Sequence, residues 1–383
     1  MPRWSRQIVF GDVDAMYASS AIVADPSLAG KLVAVGTPAP RGIITAASYS
    51  VRRYGVKAAM PTTHALRLCP GLVLVPPDRA LYRRLHNQMR AVTDRFFPAT
   101  DWTSIDEFYA DATALQSLHP SPAALGQAVK RSMFEATGLR CTIGIATGKA
   151  VAKIAADSHK PDGLAVIEPG SEASFLAPQP VKALPGVGPK TAAVLEQLGA
   201  RLIGDLMDPR LEPTLRRLWG SRLAGLQALA RGLDHDPVVP DRDRKSLSHE
   251  TTFDEDTHDL ALLERTTHEF LGILAHELRL EHLAAGSFTV KLKDARFSVS
   301  TRQRHFTRPL NYDPPMWRDI QPALRALAVP GARYRLVGLA LSDLVPATDD
   351  LFAQRTTKAL AAMDGLIERF GPGMVRLGRL PVP

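Results

Sequence analysis

The sequence predicts an α+β chain built from several domains. Three observations lead there. Residues 7–163 alternate strand-like and helix-like segments. A polar stretch with prolines and mixed charge, DHDPVVPDRDRK at 234–245, then breaks the pattern and reads as a linker. Beyond it, strands and amphipathic helices resume in a different order. At 383 residues the chain is too long for one ordinary core, and about two to four domains are expected.

QIVFGD at 7–12 is a continuous apolar run that ends in an acid, as a buried strand would. DAMYASSAIVAD at 14–25 reads as a helix, with Met16, Tyr17, Ser20 and Ile22 near one face. KLVAVG (31–36) and GIITAAS (42–48) are short strands. MPTTHALRLCP (60–70) is a short helix between prolines, and 79–96 is a longer one. The helix at 121–138 has a Ser cap, Pro in its first turn and Gly at its end. CTIGIA (141–146) is a strand, and 149–163 is a helix stopped by Pro161 and Gly163. With a hairpin near 102–111, this is the order of a ferredoxin-like βαββαβ unit, with 31–70 as a small α/β insertion. In that topology the first and third strands are neighbours, so Asp12 comes beside Asp106 and Glu107.

The texture changes at 170–235, where a Gly-rich turn opens a helix in ALPGVGPKTAAVLEQLG (183–199) and short helices follow. After the linker, strands at 287–306 and 333–344 and helices near 258–281 and 314–328 make a separate α+β domain. The tail at 353–370 reads as a helix, with Leu360, Met363, Ile367 and Phe370 near one face.

Composition narrows the function. With 45% hydrophobic and 22% charged residues, the chain has the make-up of a soluble globular protein. No apolar run approaches the ~18 residues of a membrane span, and MPRWSRQIVFGDVD lacks the apolar core of a secretory signal. Cys69 and Cys141 lie far apart without a CxxC, which argues for a reducing compartment and against a zinc site. The net charge of +8 suits a polyanionic partner, most plausibly nucleic acid.

SIDEFYAD at 104–111 sets two adjacent acids in an otherwise apolar run. Burying a carboxylate without a partner costs several kcal/mol. One reading is a hairpin turn whose acids face water, with Asp12 as a helix N-cap. The other is a cation site. Three carboxylates at one sheet edge repel one another, and hard divalent ions with oxygen ligands remove that conflict.

Six separated motifs then fall in order: FGDVDAMYAS, RGIITAASYSVRRYGVKAAMP, TSIDEFYAD, GIATGKAVAKIAADSHKPDG, LPGVGPKTA and KSLSHETTF. On these, over about residues 6–345, the chain resembles a Y-family translesion DNA polymerase of the DinB, or DNA polymerase IV, branch. The resemblance implies a palm at 1–19 and 76–165 built on the ferredoxin-like unit, with small fingers inserted at 20–75. A helical thumb with a helix-hairpin-helix occupies 166–235, a linker 236–245, an α+β little finger 246–345 and a C-terminal tail 346–383. It implies addition of a dNTP to a primer 3′-hydroxyl with release of pyrophosphate, two Mg²⁺ ions, low fidelity and no proofreading.

The same resemblance assigns residues. Asp12, Asp106 and Glu107 fall on the metal-binding acids, with the Val13 carbonyl beside them. Tyr17 falls on the aromatic that excludes a ribose 2′-hydroxyl. Tyr49, Arg52 and Lys160 fall on triphosphate contacts, while neighbouring Arg53 is expected to face solvent or DNA. Ile43 and Thr45 fall near the nascent base pair; a core strand is the other reading. Gly186, Gly188 and Lys190 fall on the thumb turn that meets a DNA phosphate. Arg296, Arg302 and Arg304 alternate with Phe297, Thr301 and Phe306, so that one strand face packs and the other meets DNA; a solvated face is the other reading. TDDLF at 348–352 stands at the place of a sliding-clamp peptide, of which only Leu351 and Phe352 fit the pattern. The implied partners are primer-template DNA, dNTP and the clamp, for a monomer in the bacterial cytoplasm at the nucleoid. Ala15 and Met16 replace residues usually aromatic, Ser48 a usual Asn, and Phe108 a usual small residue. A catalytically dead scaffold and a nucleotide cyclase with a similar palm are the rival readings.

Overall fold

The computed structural model describes residues 4–240, 243–347, 362, 364–366 and 369. The chain divides into two compact units, 1–242 and 243–383.

The first unit runs β1 (Ile8–Val13), α1 (Met16–Ala24), β2 (Val33–Gly36), β3 (Ile44–Ala47), α2 (Tyr49–Arg52), α3 (Thr62–Leu68), β4 (Val73–Val75) and α4 (Arg79–Phe96). It continues with β5 (Thr100–Trp102), β6 (Glu107–Asp111), α5 (Pro122–Thr137), β7 (Cys141–Ala146), α6 (Lys149–Ser158) and β8 (Leu164–Val166). Helices α7 (Glu172–Leu176), α8 (Pro189–Gln197), α9 (Glu212–Trp219) and α10 (Arg222–Ala230) complete it.

The main sheet has the order β5-β6-β1-β7-β8. Its first four strands have the ferredoxin-like arrangement; β8 is an edge strand that the sequence reading did not contain. Every residue of β1 is buried, because both sheet faces are covered. Val9 and Val13 pack with Phe108, Leu85, Met89 and Val129 of one core. Ile8 and Phe10 pack with Tyr109, Val151, Ile154 and Leu195 of another. Phe108 fits because its cross-strand partner is Gly11: a Cβ at Gly11 would lie 2.3 Å from the Phe108 ring. Gly144 on β7 has a matching role toward α6, since a Cβ there would lie 2.0 Å from the Ala152 carbonyl oxygen. That close approach presses α6 onto the sheet.

The insertion forms a three-stranded sheet, β3-β2-β4, and β4 lies beyond the expected end of the insertion at 70. Several boundaries also move inward. Helix α1 starts at Met16, not at 14, because Asp14 is engaged elsewhere. Helix α3 is confined to Thr62–Leu68. Helix α6 ends at Ser158, so Lys160 lies in the following loop. Asp106 lies in the turn between β5 and β6. The stretch expected to be a linker is partly anchored. Arg6 donates to the Asp234 carbonyl at 2.5 Å and to that of Asp236, and Asp234 caps α6 by accepting from Ala150 N at 2.8 Å.

The second unit comprises β9 (Ser246–Thr257), α11 (Leu260–Leu280), β10 (Leu283–Asp294), β11 (Val299–Leu310), α12 (Asp313–Leu327) and β12 (Tyr334–Pro346). Strand β9 was not foreseen, and the single expected 287–306 segment is two strands. The antiparallel sheet has the order β11-β10-β12-β9. Its core joins Phe288, Val290, Phe306, Leu339 and Leu341 to Leu271, Leu274, Ile320 and Leu324 from the two helices.

Candidate active site

Strand pairing builds the site. The β1–β6 register sets Asp12 opposite Glu107, and Val13 N donates to the Asp106 carbonyl at 3.0 Å. The three expected acids therefore share one end of the central strands, as the topology required. Their side chains are held separately. Asp12, only 7% exposed, pairs with the Lys160 ammonium, which also reaches Asp157 at 2.8 Å. Glu107 accepts from Lys153 Nζ at 2.6 Å. Asp106 accepts from Ser104 Oγ at 2.6 Å. Among the described residues, no three His, Cys, Asp or Glu side chains stand together as an ion cage.

The electrostatics fit a cation nonetheless. Burial pushes the Asp12 carboxyl up to about 7; Glu107 and Asp106 add to the rise while Lys160 opposes it. For Lys160, burial pulls down, but Asp12 and Asp157 outweigh it and hold the ammonium above its usual range. The three acids offer only hard oxygen atoms, the donor type that Mg²⁺ takes. Lysines Lys153 and Lys160 supply the compensating charge. Lys153 was missed from sequence. Its signal is the i,i+4 spacing with Lys149 on α6, both facing acids: Lys149 Nζ lies 2.9 Å from Asp101.

Tyr17, half-buried on α1, packs against Tyr82 with ring centroids 4.4 Å apart and the rings tilted by 48°. Burial, then the Asp106 charge, raises its phenol. Ala15, just before α1, has a left-handed backbone with φ 48°. Such a residue costs about 1–3 kcal/mol and marks a constrained site.

The Arg52 guanidinium stacks over the Tyr49 ring at 4.5 Å, and its Nε donates to the Ala47 carbonyl at 3.0 Å. Arg53 is exposed, as expected. Ile43 is 49% exposed and Thr45 is also exposed, while Ile44 between them is buried. The core-strand reading therefore fails for these two. Ser48 is buried and shares a hydroxyl bond with Ser50 at 2.9 Å.

Asp14 is the larger omission from the sequence reading. Its buried carboxylate accepts from Tyr49 Oη at 3.1 Å, Thr142 Oγ1 at 3.0 Å and Asp162 N at 2.8 Å. It ties together the helix that bears Arg52, strand β7 and the loop that bears Lys160. Burial and the Asp14 charge push the Tyr49 phenol up to about 12, so its hydroxyl remains a donor. The D-V-D spacing at 12–14 was the available signal.

In the 184–190 turn, buried Leu184 and Val187 anchor the chain while Gly186, Gly188 and Lys190 are exposed. Gly186 has φ +88°, and Gly188 caps α8. In the second unit the expected alternation fails. Arg302, Arg304 and Phe306 are two residues apart, so they share a sheet face, and Arg302 and Arg304 pair with core residues Val290 and Phe288. They stay accessible only because β11 is the sheet edge. The face away from the helices carries Lys291 and Lys293 instead, paired with Thr301 and Val299. Arg296 and Phe297 lie in the β10–β11 turn, off the strand, and Phe297 does not enter the core. Leu351, Phe352 and the four tail residues lie outside the described residues.

Comparison with known proteins completes the picture. The impB/mucB/samB family model matches residues 11–157, its C-terminal domain 244–355, and the IMS family HHH motif 169–200. The chain is 39% identical over 358 residues to DNA polymerase IV of Halorhodospira halophila (strain DSM 244 / SL1), covering 92% of this chain and 99% of that one. The chain belongs to the DinB branch of the Y-family DNA polymerases. It is a DNA-directed DNA polymerase, and no helix among its described residues is long and apolar enough to cross a membrane. DNA polymerase IV of Caulobacter vibrioides (strain ATCC 19089 / CIP 103742 / CB 15) is 36% identical to this polymerase, over 96% of the chain and 92% of the relative. A solved Y-family chimera of Dbh and Dpo4 shares the polymerase fold with a TM-score of 0.80 at 24% identity, over 88% of this chain and 99% of that one. An insertion ternary complex of Dbh DNA polymerase gives 0.64, also at 24% identity, over 88% and 99%.

Proposed function

We propose that this polymerase carries out low-fidelity translesion synthesis by two-metal-ion nucleotidyl transfer. It adds a dNTP to a primer 3′-hydroxyl, releases pyrophosphate and does not proofread. The observation that carries the reading is the β1–β6 register, which sets Asp12 and Glu107 opposite each other with Asp106 at the adjoining turn. Asp12, Asp106, Glu107 and the Val13 carbonyl would hold the ions. When bound, a pair of Mg²⁺ ions lowers the pKa of the attacking hydroxyl and neutralises charge on the leaving group.

The chain's own residues do the rest. Lys160 exchanges its Asp12 partner for the triphosphate, and Arg52 and the Tyr49 hydroxyl join it, because charge grows on those oxygens as the bond breaks. Lys153 releases Glu107 in the same way. Tyr17 lies under the sugar and collides with a 2′-hydroxyl. Exposed Ile43 and Thr45 border the nascent pair, where short side chains leave room for a damaged base.

The regions 1–19 with 76–165, 20–75, 166–235 and 246–345 act as palm, fingers, thumb and little finger, joined by a linker within 236–245. The thumb turn at Gly186, Gly188 and Lys190 offers backbone N–H groups and a cation to a DNA phosphate. Arg296, Arg302 and Arg304, together with Lys291 and Lys293, give the little finger basic groups for the duplex backbone. The segment 348–352 docks a sliding clamp. The protein works as a monomer in the cytoplasm at the nucleoid. Support for absent proofreading is that the stretches between the matched segments, 158–168 and 201–243, are each shorter than an ordinary domain. Primer extension with Mg²⁺ tests the reading: Asp106→Asn should abolish extension while primer-template affinity stays. Retained extension would remove Asp106 from the ion site.

A further inference from the structure

The β10–β11 turn displays an aromatic ring that the fold does not need. Phe297 is 62% exposed and has φ 66°, a backbone conformation that bulky residues rarely adopt. The turn is rigidly made. Asp294 accepts from Arg296 N and Ser298 N, each at 2.9 Å, and its carbonyl accepts from Phe297 N at 3.0 Å. Beneath the ring lies the Arg335 guanidinium, 4.7 Å from the ring centroid. Arg335 falls at the register shift where Lys293 pairs with Leu336 but Asp294 pairs with Tyr334. Such a bulge re-aims a side chain. Two separate backbone irregularities therefore converge to seat one Phe on one Arg, with the outer ring face turned to solvent.

We propose that Phe297, backed by Arg335, is a stacking site for an unpaired DNA base. A flat π-face on a fixed support, with basic groups nearby, is the chemistry by which proteins hold single-stranded nucleic acid without reading sequence. Lys293, Arg296 and Arg333 supply those basic groups. Asp254, Glu255 and Asp256 lie across from Arg335 in the matching irregularity of β9, so phosphate neutralisation is locally weakened and stacking carries the contact. The inference rests on the proposal that the second unit binds DNA.

The test uses the full chain and two fluorescein-labelled probes read by anisotropy: a blunt DNA hairpin, and the same hairpin with a single-stranded 5′ extension. Phe297→Asn keeps a residue that tolerates positive φ and removes the ring. It should weaken binding of the extended probe by about tenfold and of the blunt probe by under about twofold. The difference should persist as salt is raised, and Phe297→Trp should restore it. Equal loss on both probes, or no loss on either, overturns the stacking site. Wild-type protein that binds neither probe overturns the underlying DNA-binding reading instead.

Discussion

Replacing Asp14 probes the part of the site that only the structure revealed. In Asp14→Asn the amide oxygen can stay on Asp162 N, which is fixed backbone and can only donate. The amide nitrogen then meets the Thr142 and Tyr49 hydroxyls, which can rotate to accept. The geometry survives, but three hydrogen bonds lose their charged acceptor. Bonds to charged groups contribute about 1.5–3 kcal/mol against about 1 for neutral ones, so a loss of roughly 1–3 kcal/mol is expected. Asp14→Ala strands the part-buried Asp162 N–H and the buried Thr142 hydroxyl and should cost more, about 2–4 kcal/mol. Urea unfolding reads these numbers. The functional effect should fall on nucleotide binding, because Tyr49 and the Lys160 loop lose a shared tether. KM for dNTP should rise by about tenfold, or about 1.4 kcal/mol, with kcat less affected. Because one arm of the tether is the Tyr49 hydroxyl, the Asp14→Asn penalty should shrink in a Tyr49→Phe background. An unchanged KM for dNTP, or a penalty that is the same in both backgrounds, would refute the tether.

Two further outcomes are expected. Tyr17→Ala should raise ribonucleotide insertion by roughly 10- to 100-fold, since the clash it removes is on the scale of about 1–3 kcal/mol of overpacking; steady-state insertion of rNTP against dNTP reads this, and an unchanged ratio would eliminate Tyr17 as the gate. In the second unit, burial raises the Asp364 carboxyl, but Arg279 and His276 outweigh it and hold it below its ordinary value. The stability it contributes is therefore present above the unfolded value of about 4 and is lost as pH falls through the lower folded value. Asp364→Asn should reduce stability by about 1 kcal/mol at pH 7, discounted for partial exposure, and have little effect in strong acid. Chemical unfolding at both pH values checks the sign.

Much of this was legible in the sequence because local signals agreed with the fold. The apolar run at 7–12 ending in Asp12, the capped helix at 121–138 and the acids after Ile105 each carried their own local pattern, and the βαββαβ order then set their neighbours. The failures have physical causes. Asp14 follows a strand and precedes a helix, so it looked helical; only tertiary contacts from Thr142 and Asp162 show that it is a hub. Phe108 stands where a small residue is usual, and it fits because Gly11 lies opposite it, a pairing that local sequence does not show. The arginines of β11 were given the wrong face because a period of two puts Arg302, Arg304 and Phe306 on one side; their accessibility comes from being at an edge, which a single strand's sequence does not reveal. Phe297 was read as a packing residue because nothing in its neighbours announces a left-handed turn.

The shared cation site at positions 12, 106 and 107 is open to a direct count of bound metal. Mn²⁺ titration followed by electron paramagnetic resonance, with primed DNA and a non-hydrolysable dNTP present, should find about two ions per wild-type complex. Asp106→Asn should hold fewer at the same free concentration. A variant that titrates like wild type would contradict the assignment.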